Sequence, residues 1–153
     1  MKTKQQIIKS RPVFLNDWAE EKSFMVFMYF EDVFITFDEF KKKSAPYANV
    51  AYWQEKVQSA KQALKKHKED KILFASYTYE GYEGSAWVLF TNQGKLYEVN
   101  GSHCSCNGLE GQWEPEEVNL VELRNRVLVG TLGQDYDKCS IFRDELIKFL
   151  GLK

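Results

Sequence analysis

Three β-rich segments between residues 71 and 100 constrain the fold more than any other part of the chain. Each contains apolar, aromatic and β-branched side chains, and turn-forming sequences separate them. The segments are residues 71–79, 85–91 and 95–100, and the turns are Gly81-Tyr82-Glu83-Gly84 and Asn92-Gln93-Gly94. Short connections of this kind join neighbouring antiparallel strands. The sequence therefore predicts an antiparallel β-meander over about residues 71–100.

Helical signals lie on both sides of the meander. Residues 49–69 give the clearest one, because apolar side chains recur on one face and charged side chains cover the other. The other predicted helices are residues 13–22 after Pro12, a short helix from Thr36 to about Ser44 before Pro46, residues 115–126 and residues 137–150. Thr36 and Glu39 have the spacing of a capping box, and Pro115 suits a first helical position.

The run from Phe24 to Phe37 fits two structures. Its aromatic and β-branched residues favour two strands that turn at Glu31 and Asp32, whereas the spacing of its phenylalanines also fits a helical stripe. We expect strands within residues 24–36 that extend the sheet. The predicted fold class is α+β, with an antiparallel sheet covered on one face by several helices, in a single domain over residues 1–153.

Composition limits the classes of function. Lys and Arg number 21 and Asp and Glu number 22, so no overall field attracts nucleic acid, and nucleic-acid binding is not expected. No apolar run reaches the length of a membrane span, and the N-terminal residues lack the apolar core of an export signal. Three cysteines without an export signal indicate reduced thiols. We therefore expect a cytoplasmic protein that does not associate with membranes.

Residues 98–117 concentrate the side chains that can carry chemistry, in a segment rich in turn residues. The candidate functional residues of this loop are His103, Cys104, Cys106, Glu110, Gln112 and Trp113. Binding and catalytic groups concentrate on loops held by a rigid scaffold. The loop glycines also permit unusual backbone angles. We favour an architectural turn in which Trp113 packs into the core, while His103 and the cysteines satisfy buried backbone groups.

Two chemical alternatives remain for this loop. His103, Cys104 and Cys106 offer ligands that zinc prefers, and Cys139 would supply a fourth. The spacing is poor, however, and Cys139 falls on the apolar stripe of the last predicted helix, where a free cysteine packs as a small hydrophobe. The second alternative is a thiol nucleophile beside His103 or a redox pair of Cys104 and Cys106, although a disulfide between such close cysteines is strained. We expect no metal and no cofactor.

The carboxylates and the aromatic residues also allow more than one interpretation. Paired acids or a hard-cation site would use Glu110, Glu114, Glu116 and Glu117. We favour helix-start charges, because negative side chains near Pro115 are stabilised by the free amide groups of a first helical turn. Aromatic side chains of the meander would stack on bases, but few Lys and Arg accompany them. A protein contact at Tyr79, Tyr82 and Glu83 is favoured, since tyrosine anchors protein interfaces.

One segment carries a resemblance. The string from Lys95 to Glu117, containing Gly-Ser-His-Cys-Ser-Cys-x-Gly-Leu-Glu-x-Gln-Trp-x-Pro-Glu, resembles, together with residues 82–90, an uncharacterised group of small bacteriophage and prophage proteins. That group has no assigned activity, so the resemblance transfers no catalytic residue. It implies a phage-encoded protein that acts inside a bacterial host.

These observations favour a non-enzymatic protein-interaction module whose partner is a host or phage protein, and inhibition of a host or defence factor is one form of that function. The alternative is a small metal- or thiol-dependent enzyme, or a zinc-binding module, that uses His103, Cys104 and Cys106.

Overall fold

The predicted β-meander forms the centre of the sheet. In the computed structural model, which describes residues 1–20, 23–42 and 50–153, three antiparallel strands follow one another along the chain. They are β2 (Lys71–Tyr77), β3 (Gly84–Asn92) and β4 (Lys95–His103). The meander is therefore confirmed. The difference lies at the end of β4, which runs past the predicted limit at Asn100 to His103.

Two short strands widen the sheet at its edges. Strand β1 (Val13–Asn16) pairs in parallel with β2, and β5 (Glu116–Glu117) pairs in antiparallel with β4. The result is an open, mixed and mostly antiparallel five-stranded sheet in the order β1-β2-β3-β4-β5. With six helices in the described part of the chain, the α+β class is confirmed.

The helix predicted for residues 13–22 is wrong, because its first residues form β1. Val13 and Leu15 pack against one hydrophobic cluster, whereas Phe14 packs against another. That alternation has the period of a strand, whose successive side chains point to opposite faces. Pro12 before the segment fits a strand start as well as a helix start, so it did not discriminate between the two.

The strands predicted within residues 24–36 are also wrong, because the segment forms helix α2 (Ser23–Phe30). Phe24, Val26, Phe27, Met28 and Phe30 are all buried. A helix buried on most of its sides lacks the polar face that would reveal a helical period. Its aromatic and β-branched content therefore imitated a strand. The chain turns directly after this helix, where Asp32 adopts a left-handed φ of 54°.

Both faces of the sheet are covered, which corrects the expectation of helices on one face only. Ala86, Val88 and Phe90 of β3 belong to one buried cluster, together with α2 and helix α4 (Val50–Lys66). Trp87 and Leu89 of the same strand belong to a second cluster, together with helices α1 (Lys4–Ile8), α5 (Leu120–Leu128) and α6 (Arg143–Leu150). The described residues thus form three layers around a central sheet.

The capping signals predicted well where they occur. Helix α3 (Phe37–Lys41) begins at the expected box, in which Thr36 Oγ1 accepts from Glu39 N and Glu39 accepts from Thr36 N. The predicted end near Ser44 and the stop at Pro46 lie outside the described residues. Helix α4 is confirmed from Val50, with Lys65 and Lys66 in its last turn, where positive charge suits the carbonyl end.

Both C-terminal helices begin later than predicted. Asn119, not Pro115, caps α5, because its side chain accepts from the amides of Val121 and Glu122. Helix α6 begins at Arg143, since a turn precedes it in which Cys139 N donates to Asp135 Oδ1 at 2.7 Å. Within the described ranges, no helix combines the length and the apolarity that crossing a membrane requires.

A buried histidine joins the layers on the α2 side. His67 is 3% exposed, and its Nδ1 and Nε2 lie 2.9 Å from Asp70 Oδ2 and 2.8 Å from Glu31 Oε1. Carboxylates accept, so both ring nitrogens donate when the two carboxylates are ionised. The ring stacks on Phe27 with centroids 4.5 Å apart. The sequence analysis missed this network, because Glu31 was placed in a hairpin turn.

A buried carboxylate joins the sheet to α5 on the other side. Glu98 is 4% exposed and accepts from Trp87 Nε1 at 2.7 Å. It also accepts from both terminal nitrogens of Arg126. These hydrogen bonds raise the pKa of the Arg126 guanidinium above its ordinary value. This ion pair therefore connects β4 with α5.

We expect Arg126→Ala to lower the free energy of unfolding by about 2 kcal/mol at pH 7, because Glu98 would stay buried without its main partner. The estimate is below the usual loss for a buried pair, since the Arg126 side chain is 37% exposed. Urea unfolding measures the loss. Arg124→Ala, at an exposed position of the same helix, is the matched control. Equal losses for the two variants would contradict this account.

Candidate functional site

The extension of β4 places His103 on the sheet and not in a loop. Gly84 of β3 pairs with His103, and Ser85 pairs with Ser102. The loop that follows β4 therefore begins at Cys104, later than predicted. Because side chains alternate along a strand, His103 points to the same face of the sheet as the cluster that contains α2.

The His103 ring is held by one hydrogen bond and two aromatic neighbours. It is 7% exposed, and its Nε2 lies 2.9 Å from the carbonyl oxygen of Thr78. The ring stacks on Tyr79 at 4.8 Å and meets Tyr77 at 5.1 Å between centroids. A carbonyl only accepts, so Nε2 carries the proton and Nδ1 of the neutral ring is an acceptor. In the described part of the chain, the structure shows no donor bound to Nδ1.

Gly84 makes this arrangement possible. A Cβ on Gly84 would lie 1.7 Å from the carbonyl oxygen of Thr78 and 2.2 Å from His103 Nε2. Both distances are far below van der Waals contact. Position 84 therefore requires glycine because the ring and the carbonyl meet directly over its backbone.

The segment after His103 is an ordered turn fastened by Gln112. The Gln112 side chain accepts from Ser102 N at 2.9 Å and donates to Ser102 O at 2.7 Å, as a neighbouring strand would. Its amide nitrogen also donates to Gly108 O at 2.7 Å. Leu109 is 2% exposed and anchors the turn in the core. The segment is thus an ordered turn with Gln112 as its fastening residue, although its cysteines do not take the buried role expected of them.

Trp113 packs against the core, as predicted. Its ring lies 5.0 Å from Phe30, 5.1 Å from Phe90 and 4.7 Å from His67 between centroids. Trp113 is therefore a second anchor at the end of the turn. It does not line the cavity described next.

A cavity of about 530 Å³, here called the His103 groove, opens between α2 and the turn. Its walls are mostly apolar and include methionine, tyrosine and phenylalanine. They are formed by Met25, Met28, Tyr29, residues 32–36, Glu39, Tyr77, Tyr79 and residues 103–110. Phe34 is 76% exposed and Tyr79 is 53% exposed. The groove thus presents large apolar side chains at an open surface.

The charged side chains among the described lining residues of the groove are carboxylates, apart from the imidazole of His103. The lining includes the carboxylates of Asp32, Glu39 and Glu110. No Lys or Arg is present among the described residues of the lining. Hydrogen bonds from the Thr36 backbone and side chain lower the pKa of Glu39 below its ordinary value, so that it stays ionised near neutral pH. Glu110 Oε1 accepts from Gly108 N at 3.2 Å.

A second concavity of about 580 Å³, here called the acidic hollow, shares His103 and Cys104 with the groove. Its lining includes Glu80, Glu83 and Asp135, and again no Lys or Arg among the residues described. His103 therefore lies between two adjoining acidic depressions.

The cysteines lie at the surface. All three are free and exposed, so they do not satisfy buried backbone groups. The prediction that Cys139 packs in the core is wrong. Cys104 and Cys106 line the groove. Within residues 1–20, 23–42 and 50–153, no three His, Cys, Asp or Glu side chains are grouped to hold a metal ion. The zinc alternative gains no support from this geometry.

The predicted carboxylate set is dispersed. Glu116 and Glu117 lie in β5 and not in a first helical turn, and Lys95 Nζ pairs with Glu117 at 3.0 Å. That ion pair raises the pKa of the Lys95 ammonium. Of the four glutamates, only Glu110 lines the groove. The favoured explanation by helix-start charge is therefore wrong.

The predicted interface residues lie beside the groove. Tyr79 forms part of its wall, and Glu83 lines the acidic hollow. Tyr82 is 71% exposed between them along the chain. Sequence reasoning missed Asp32, Phe34 and the α2 methionines. A sequence signal for Phe34 was available in the capping box at Thr36, because the box places Phe34 just before the start of a helix.

Comparison with known proteins finds no matching family model, no matching curated protein and no matching solved structure.

We expect Gly84→Ala to displace His103 from the Thr78 carbonyl and to lower the free energy of unfolding by about 2 kcal/mol, as overpacking typically does. Urea unfolding and the NMR signals of the His103 ring measure the two effects. Ser102→Ala, an exposed change on the paired strand, is the control. Unchanged ring signals in Gly84→Ala would refute the close approach.

We also expect the free energy of unfolding to fall as the pH rises from 10 to 12. Burial raises the pKa of Tyr77 from 10.0 to about 12, with smaller contributions from the charges of Tyr29, Asp17 and Tyr79. Between these values only the unfolded chain releases the proton, so this stability is complete below pH 10 and is lost towards pH 12. Urea unfolding at several pH values measures the slope. Tyr77→Phe should show a shallower slope, and an equal slope would contradict the assignment.

Proposed function

We propose that this chain is a non-enzymatic protein-interaction module that binds its partner at the His103 groove. The observation that carries the proposal is an open groove walled by methionine and aromatic side chains, with Phe34 76% exposed at its edge. Tyrosine and methionine are enriched where proteins bind one another, and methionine adapts to varied partner shapes. The turn fastened by Gln112 gives the groove a preformed wall, which lowers the entropic cost of binding.

The hydrogen bonds of the groove support binding more than catalysis. A thiol nucleophile needs a base within hydrogen-bonding reach, and in His103 only Nδ1 could serve, because Nε2 donates to the Thr78 carbonyl. The described residues show no hydrogen bond between His103 and either Cys104 or Cys106. Among the described residues, the Cys106 sulfur has a hydrogen bond with Ser105 Oγ, at 3.8 Å.

The resemblance to small phage proteins extends the proposal. A phage-encoded protein of this kind would act in the cytoplasm of its bacterial host on a host or phage protein, and inhibition of a defence factor is one form of such action. The competing function is a metal- or thiol-dependent module. It is favoured only by the exposed sulfurs of Cys104 and Cys106 at the groove.

Affinity capture with tagged variants from bacterial lysate tests the proposal. We expect one stoichiometric partner that is retained by the Cys104→Ala, Cys106→Ala double variant. Phe34→Glu should weaken its binding roughly 30-fold, the loss typical of an interface anchor, as measured by calorimetry with the purified partner. Val121→Glu changes a residue that is 64% exposed on α5, on the other side of the sheet, and should have no effect.

Two results would reject the proposal. One is equal retention by Phe34→Glu and Val121→Glu, which would place the contact elsewhere. The other is the absence of any partner combined with a tightly held metal that the double cysteine variant loses, which would favour the competing function.

A further inference from the structure

We propose that the His103 groove binds a basic segment of the partner protein, in which a Lys or Arg lies next to an aromatic or aliphatic anchor residue. This inference rests on the proposed function, and it specifies the chemistry of the occupant. It follows from three properties of the groove: its charge, its hydrogen-bonding groups and its apolar walls.

The charge of this surface differs from that of the whole chain. The sequence has 21 Lys and Arg against 22 Asp and Glu, so basic and acidic side chains are equally abundant. The groove nevertheless carries three carboxylates, and the adjoining acidic hollow carries three more, with no basic side chain in either described lining. These carboxylates attract a positively charged segment and repel an acidic one, while Lys56 beside Phe34 and Lys42 near Glu39 limit the attraction at that edge of the groove.

The groove offers hydrogen-bond acceptors, beside hydroxyl and amide groups such as those of Ser105 and Asn107, which can also donate. His103 Nδ1 is an acceptor in the neutral ring, because Nε2 donates to Thr78. The described residues show no hydrogen bond or ion pair to the Asp32 carboxylate, which lies just after α2. Lys and Arg side chains carry donors only, three and five respectively, so they complement such a surface.

The apolar walls fit the rest of the segment. The methylene stem of a Lys or Arg can lie along the half-buried Met25 while its charged end reaches the carboxylates. Phe34 and Tyr79 are exposed aromatic side chains that can contact a cation, Tyr79 on the ring face that does not stack on His103. Phe34 already has such a contact within the chain, since Lys56 Nζ lies 5.4 Å from its ring centroid. The remaining cavity admits an aromatic or aliphatic anchor.

A displayed library of random twelve-residue peptides, selected on the full chain, identifies the preferred chemistry. We expect enriched peptides to contain Lys or Arg within two positions of Trp, Phe, Leu or Met, and to bind Phe34→Glu at least tenfold more weakly. Enrichment of neutral or acidic peptides, equal binding to Phe34→Glu, or no enrichment would overturn the inference. A groove-dependent protein partner captured from lysate would leave the proposed function intact in each of these cases.

Charge is then tested separately from shape. The triple variant Asp32→Asn, Glu39→Gln, Glu110→Gln keeps the size of each side chain and an oxygen for the bonds from Thr36 and Gly108. We expect it to bind the strongest selected peptide about tenfold more weakly in fluorescence anisotropy, the sum of three partly exposed ion pairs. The difference should shrink at high salt.

The matched control is Glu69→Gln, Glu122→Gln, Asp144→Asn. It removes the same charge at exposed positions outside both depressions. Equal weakening by the two triple variants would show a general field effect and would overturn recognition at the groove. No weakening by either would show that the carboxylates do not contact the ligand, which would also overturn it.

Discussion

Burial of β3 on both of its faces is the constraint on which the rest of the structure depends. Alternate side chains of this strand enter two separate clusters, with Val88 and Phe90 on one side and Trp87 and Leu89 on the other. A strand buried on both sides requires a cover on each side, so helices are needed both before and after the meander in the chain. Helix α2 can be apolar on most of its surface only because it fills the space between the sheet and α4. The α5 and α6 pair covers the opposite side.

The same constraint explains which parts of the fold the sequence predicts. The meander and α4 show clear local periods, and the capping box at Thr36 is a contact within one turn, so each was predicted from neighbouring residues. Helix α2 carries no such period because tertiary packing buries most of its sides. Pro115 and Cys139 also misled. Whether a proline starts a helix or precedes an edge strand depends on a partner strand, here β4. Cys139 lies at the surface because α6 begins only at Arg143 and the cysteine belongs to the preceding turn, where its amide donates to Asp135.

The candidate site shows the same division. Its location near His103 and the importance of Gln112 and Trp113 followed from the crowding of polar and turn residues after a predicted strand. The opposite wall did not, because Met25, Asp32 and Phe34 lie about 70 residues or more away in the chain and approach only when α2 packs on the sheet. The approach itself depends on small local details. Gly84 leaves room for the His103 ring, and Gln112 holds the turn against β4.

The carboxylates at the groove are not explained by local folding alone. In the box at the start of α3, Glu39 binds the amide of Thr36, but a glutamine serves the same purpose in this chain, where Gln6 completes an equivalent box with Thr3 at the start of α1. The amide of Gly108 likewise needs one oxygen and not a charge. Asp32 occupies a left-handed position that asparagine adopts equally well. At all three positions an amide can take the same local place, so these contacts do not require a negative charge, although the first turn of α3 stabilises that of Glu39. The charge of the three carboxylates is therefore available for the proposed recognition of a basic partner segment.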